Sequence, residues 1–116
     1  MPSAVRLDLS NSATLDSNGK GIVQLSAAGS GEKWNVDTVT VTSNSALATK
    51  FALYKDHITA ASVLLTSESG NNDTATGVDI DVSFGQSLYG VWMEGTPGAS
   101  VRLDIRGDRT IGGRIY

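Results

Sequence analysis

A strict alternation of apolar and polar residues near the middle of the chain constrains the fold more than any other feature. Between residues 78 and 84 every second position is apolar, and two aspartates and a serine fill the gaps. Successive side chains of a β-strand point to opposite faces, so the pattern predicts a strand with one buried and one wet face. Similar segments recur along the chain and predict an all-β protein. The predicted strands are Val5–Leu9, Ile22–Leu25, Trp34–Thr42, Ala48–Lys55, Ala60–Thr66, Val78–Phe84, Leu88–Met93 and Ala99–Ile105.

Three of these segments carry additional expectations. The alternation in Trp34–Thr42 slips at Asp37-Thr38, which predicts a β-bulge. Ala60–Thr66 also fits a short helix, although a strand is favoured. Leu88–Met93 is apolar on both faces, as expected for a central strand or one that faces an interface. Ser67–Thr76 is mostly polar and is predicted to be a loop.

The spacing of the strands indicates the architecture. About eight short strands with turns every ~10–14 residues are typical of a single antiparallel β-sandwich, either a jelly roll or an immunoglobulin-like fold. A closed barrel remains an alternative. The spacing of a βαβ unit does not occur, which argues against nucleotide-binding folds with parallel sheets.

Nearly the same five residues occur at both ends of the chain, VRLDL at 5–9 and VRLDI at 101–105. The flanking residues differ, so the match does not indicate a duplication. In both segments the apolar positions suit a core, and the Arg and Asp between them form a solvated pair that discourages unwanted edge pairing. We interpret both as terminal strands, a position in which strands tend to be sheet edges.

The last ten residues differ from the rest. We place a β-sandwich domain at 1–106 and a Gly-rich C-terminal tail at 107–116, whose apolar end would gain by burial against a partner subunit. A ninth strand, packing on the chain's own domain, and disorder are the alternatives. The predicted partner interface joins both ends of the chain and consists of Val5, Leu7, Leu9, Ile111, Ile115 and Tyr116.

Composition excludes several classes of function. The 116 residues contain no cysteine, which removes disulfides, thiol catalysis and Cys-based metal sites. A net charge of −3 with 9 Lys and Arg does not suit nucleic-acid binding, and no apolar run approaches the length of a membrane span. The single histidine, His57, lies in a predicted turn without an evident nucleophile. We therefore expect no enzyme activity, no cofactor and no metal.

The aromatic residues support one alternative function. Sugars stack on aromatic rings, so the sequence is also compatible with a carbohydrate-binding module that recognises a bacterial surface glycan. Its candidate residues are Trp34, Tyr54, Tyr89 and Trp92. Both tryptophans occupy alternating apolar positions, and core packing is therefore the favoured interpretation for them.

The first third of the chain resembles small β-sandwich virion proteins of tailed phages that infect actinobacteria. The resemblance covers Ala4–Ser43, and a weaker match in the turn at Val91–Ala99 extends it. The matching elements are Val5–Ser10, Asn18–Gly21, Gly29–Trp34 and Val36–Thr42. The resemblance implies a structural role, as a minor tail protein or a capsid decoration protein, and it supplies no catalytic residues.

Together these features predict a non-enzymatic virion protein that acts by protein–protein contacts. Its expected partners are other virion proteins and further copies of itself in a symmetric homo-oligomer, for example a trimer. We expect it to be located in the virion and assembled in the host cytoplasm, with no nucleic acid or membrane among its partners.

Overall fold

The computed structural model describes residues 3–27, 29 and 31–111 of the chain. These residues form eight β-strands and one short 3₁₀ turn, Ala60–Ser62. In chain order the strands are β1 (Ser3–Thr14), β2 (Gly21–Ser26), β3 (Glu32–Ser43), β4 (Lys50–Lys55), β5 (Val63–Ser67), β6 (Asn72–Ser83), β7 (Ser87–Met93) and β8 (Ser100–Ile111).

The strands form two antiparallel sheets of four. Sheet I has the order β1-β8-β3-β6, and sheet II has the order β2-β7-β4-β5. The pairs are nested, since β1 pairs with β8, β2 with β7, β3 with β6 and β4 with β5. Rolling up a chain folded back on itself in this way produces a jelly roll. The sandwich predicted from the sequence is confirmed, and the strand order selects the jelly roll over the immunoglobulin-like alternative.

The core lies between the two sheets and follows the predicted alternation. Every strand except β5 contributes buried residues, β5 contributes the partly buried Leu65, and the two tryptophans are among the largest side chains that are fully buried. Trp92 packs against Phe51 with their ring centroids 4.8 Å apart, and its indole N–H donates to the carbonyl of Gly70 at 3.0 Å. The indole N–H therefore has a partner although the side chain is buried.

The bulge predicted from the sequence is present in β3 of sheet I. The register of β3 with both β6 and β8 shifts between Val36 and Thr38. Gly107 of β8 lies beside this bulge, where an added Cβ would be 2.0 Å from the carbonyl oxygen of Asn35. No other residue type fits such an approach between two backbones.

Two segments belong to strands although the sequence predicts otherwise. The predicted loop Ser67–Thr76 contains the start of β6, which begins at Asn72 and pairs with β3. Residues 107–111 of the predicted tail continue β8 and pair with β1 and β3, so the predicted boundary at 106/107 falls inside a strand. β8 is consequently a central strand, whereas β1 is an edge as expected.

Candidate interaction surface

The outer face of sheet II carries an apolar patch at its centre. Alternation along β7 sends Leu88 and Trp92 into the core and places Val91 on the opposite face. Val91 pairs directly with Ile22 of β2 and with Ala52 of β4. We define the outer apolar strip as Val91 together with the side chains that surround it on this face, namely Ile22, Ala52, Tyr54, Tyr89 and Met93.

The strip is a second apolar cluster, separate from the core. Val91 and Ala52 are only 2% and 6% exposed, yet neither belongs to the cluster between the sheets. Their neighbours on the outer face therefore shield them from water. Ile22 and Met93 remain 46% and 38% exposed at the edge of the strip. An apolar centre of this kind, open to solvent at its edge, is a feature of protein-binding surfaces.

The outer face of sheet I is charged instead. The outward positions of β8 alternate in sign along the strand, and Arg6 and Asp8 of β1 lie opposite Asp108 and Arg106. Arg102 contacts Asp104 at 3.0 Å, and Arg106 Nε lies 3.7 Å from Asp8. Such exposed pairs contribute little stability, but they keep the face hydrated. The two outer faces of the sandwich thus differ sharply in polarity.

Charged groups border the strip at one end, and neutral polar groups border it at the other. At one end, Lys50 of β4 lies 3.3 Å from Glu94 and 4.0 Å from Glu68. The hydrogen bond and the charge of Glu94, with the charge of Glu68, raise the pKa of Lys50. At the other end, Gln24 donates hydrogen bonds to the hydroxyls of Ser26 and Ser87. An apolar centre with a polar rim is the usual anatomy of a protein interface.

The structure distributes the predicted interface residues differently. Leu7 is 1% exposed and Leu9 packs against the core, so both side chains are engaged within the chain itself. Val5 is 44% exposed and pairs with Arg109 on the inward-facing side of sheet I. The backbone of Ile111 ends β8, while its side chain, together with Ile115 and Tyr116, lies outside the described residues. Their predicted docking remains a prediction.

The predicted glycan-binding residues separate into two groups. Trp34 and Trp92 are buried in the core, which confirms the favoured interpretation and leaves neither ring free to stack on a sugar. Tyr54 and Tyr89 are half-buried and pair directly across β4 and β7 within the outer apolar strip. The apolar positions of β7 on both faces predicted this surface in part, whereas the sequence analysis did not single out Ile22 and Ala52.

Two carboxylates on β6 share one structural contact. Asn35 Nδ2 donates to Asp79 at 2.8 Å and to Asp81 at 2.9 Å, which accounts for the two carboxylates on β6. Among residues 3–27, 29 and 31–111, no three His, Asp or Glu side chains are grouped as a metal site would require. The same part of the chain has no helix suited to crossing a membrane.

An apolar cleft of about 60 Å³ opens between the edge strands β5 and β6. Phe51, Leu65 and Val41 form part of its floor, and Ser67 donates a hydrogen bond to Asp73 at its rim. The cleft is smaller than the ~300–1,000 Å³ typical of ligand pockets. The outer apolar strip is therefore a more substantial candidate surface than this cleft.

The chain is distantly similar to several solved structures. No protein-family model and no curated protein matches the chain. The structure of the Drosophila NLP core, described in terms of pentamer formation and histone binding, matches with a TM-score of 0.43 and 9% identity over 86% of this chain and 97% of that one. A chain of infectious bursal disease virus, Gt strain, matches with a TM-score of 0.45 and 14% identity over 99% of this chain and 33% of that one.

The Gx strain of infectious bursal disease virus matches with a TM-score of 0.26 and 7% identity, over 98% of this chain and 43% of that one. The chain thus spans less than half the length of both viral chains. All three TM-scores are below 0.5, so these similarities carry no argument about what the chain does.

Proposed function

We propose that the chain is a non-enzymatic structural protein of a virion, either a minor tail protein or a capsid decoration protein, and that it acts through protein–protein contacts. One observation carries the proposal: Val91 and Ala52 are desolvated on the outside of sheet II rather than in the core. A sandwich that had no partner on this face would be expected to carry polar residues at the exposed positions around them, which Ile22 and Met93 occupy.

The remaining support comes from the sequence and from the chemistry of the described residues. The elements from Ala4 to Ser43 resemble small virion proteins of tailed phages, and the structure places them on β1, β2 and β3 with their turns. The described carboxylates and the two indole groups are engaged in structural hydrogen bonds or exposed on polar faces. These features favour contact over catalysis as the role of the chain.

Purified particles from the source of this sequence provide the test. We expect mass spectrometry of density-gradient-purified virions to detect the chain at a fixed stoichiometry to the major capsid or tail protein. Immunogold labelling of the same particles would then assign it to the head or to the tail. Absence of the chain from particles, when it is abundant in the infected-cell lysate, would reject the virion role.

The pairing of Tyr54 with Tyr89 favours a second candidate function, glycan binding, because two adjacent tyrosines on an exposed sheet face can stack on a sugar. A glycan array tests this function. Binding that is lost in Tyr54→Ser and Tyr89→Ser but kept in Trp34→Phe would support a carbohydrate-binding module. If the wild-type chain binds no glycan, the glycan-binding function is rejected and the two tyrosines remain candidates for protein contacts.

A further inference from the structure

We infer that the outer apolar strip docks on the same strip of a second copy of this chain, related by a two-fold axis. The inference rests on the proposed function, since it names the first partner of the surface on which that function relies. The strip combines shielded side chains at its centre with Ile22 and Met93 exposed at its edge, so water is only partly removed from it in a single copy. A second flat sheet face would complete its burial.

The charges around the strip favour a second copy over a partner of one charge sign. Lys20 precedes β2, at one side of sheet II, and Glu68 follows β5, at the opposite side. Both residues are exposed and lie at the same end of their strands. A strongly acidic or basic partner would meet a like charge at one of these sides, whereas a second copy can present the opposite charge at each.

The strand order defines which arrangement of two copies pairs these charges. A two-fold axis parallel to the strands, between β7 and β4, exchanges β2 with β5 and β7 with β4. Lys20 of one copy then faces Glu68 of the other at both sides of the interface. Two stacked sheets in a sandwich pack with their strands within about 30° of each other, which this arrangement satisfies.

The same axis brings complementary residues together at the centre. Val91 of one copy lies over Ala52 of the other, and the partly exposed side chains around them make the contact. Tyr89 likewise faces Tyr54, and tyrosines at the centre of an interface are common binding hot spots. The charged outer face of sheet I points away from the contact and stays available to other virion proteins.

Sedimentation velocity of the purified chain over a concentration series tests the inference. We expect the wild type to form dimers and the double variant Ile22→Arg/Met93→Arg to sediment as a monomer, with dimerisation weakened at least ~100-fold. The matched control, Phe84→Arg, changes an exposed apolar residue outside the strip and should dimerise as the wild type does. If the wild type remains monomeric at a protein concentration on the order of 1 mM, the inference is overturned.

A charge exchange tests the two-fold arrangement without altering the strip. Lys20→Glu should weaken dimerisation about tenfold, as a repulsive rim pair does, and adding Glu68→Lys should restore it. The proposed contact is contradicted if the strip variant dimerises as the wild type does. It is also contradicted if adding Glu68→Lys does not restore the dimerisation that Lys20→Glu weakens. A dimer formed by a chain that is absent from virions rejects the proposed function alone, and a monomeric chain found in virions rejects this inference alone.

Discussion

The indole N–H of Trp34 donates a hydrogen bond to the Glu32 carboxylate across 2.7 Å. The same carboxylate accepts from the backbone N–H of Gly29 at 2.8 Å and lies 3.7 Å from Arg109 of β8. Burial opposes ionisation of Glu32, but these three partners together outweigh it and lower its pKa below the ordinary value of 4.5. Glu32 thus joins the β2–β3 turn, a core tryptophan and the end of β8.

This contact predicts a pH-dependent effect of Glu32→Gln. A depressed pKa in the folded state means that ionised Glu32 adds stability above about pH 4.5, and that this stability is lost as the pH falls through the folded-state pKa. Urea unfolding at pH 7 should show a loss of about 1–2 kcal/mol in the free energy of unfolding. The difference from the wild type should shrink as the pH is lowered below 4.5.

Glu68→Gln serves as the control, because the side chain of Glu68 is well exposed and its ion pair with Lys50 is 4.0 Å long. We expect a change within about 0.5 kcal/mol at either pH. An equal effect of Glu32→Gln at pH 7 and at pH 3 would mean that the charge of Glu32 is not what stabilises the contact.

Gly107→Ala should strongly destabilise the fold. The new Cβ would lie 2.0 Å from the carbonyl oxygen of Asn35, so the central strand of sheet I would have to move away from β3. We expect a loss of at least about 2 kcal/mol by thermal or urea unfolding. Gly85→Ala is the matched control, because Gly85 has a positive φ of 86° but nothing within 4 Å of its added Cβ. It should cost only about 1 kcal/mol.

Leu7→Ala and Val5→Ala should differ although the two residues are neighbours on one face of β1. Leu7 is buried in the core, and its truncation should cost about 2–5 kcal/mol in the free energy of unfolding. Val5 is largely exposed, and we expect its truncation to cost less than about 1 kcal/mol. Similar losses for both variants would contradict the described packing of β1.

Thr49→Val should loosen the loop between β3 and β4. Thr49 is fully buried, and its hydroxyl donates to Asn71 Oδ1 at 2.6 Å. Asn71 Nδ2 in turn donates to the carbonyls of Ser45 and Leu47. Valine has nearly the same shape without the donor, so the unpaired amide oxygen should cost about 1–2 kcal/mol. Faster amide hydrogen exchange in residues 44–49 would localise the effect, and Thr66→Val, at an exposed position, should leave it unchanged.

Most strands were predictable because burial on one side imposes period two. The phase slip at Asp37-Thr38 even located the bulge of β3, since an extra residue in a strand must shift the alternation. Residues 72–76 lack the alternation of a half-buried strand because only Ala75 is apolar, so the sequence predicts a loop there. They form an edge strand whose pairing with β3 is reinforced by a contact between the Thr74 and Thr40 hydroxyls at 3.2 Å.

The extent of β8 could not be read from composition. Glycine is disfavoured in strands, so the glycines at 107, 112 and 113 predict a tail from residue 107 onward. In the fold, the bulge of β3 requires a residue without a side chain opposite it, and the glycine preserves the strand. The segment Ala60–Thr66 divides into the 3₁₀ turn Ala60–Ser62 and the strand β5, so both readings of it were partly correct.

The outer apolar strip was only partly visible in the sequence for a similar reason. Alternation shows which residues of a strand share a face, but not which strands lie side by side. Ile22, Val91 and Ala52 come from three distant segments, and only the order of sheet II brings them into one row.

The nested pairing of the strands determines the order in which the chain can close. The hairpin of β4 and β5 joins near neighbours in sequence, whereas β1 and β8 can pair only after residues 15–99 have been gathered between them. Loop-closure entropy delays contacts between residues that are distant in sequence, so the two VRLD segments should be the last strands to pair. A newly synthesised chain would complete its sandwich only after β8 has left the ribosome. The pairing of β8 with its neighbours is then the step that completes the fold.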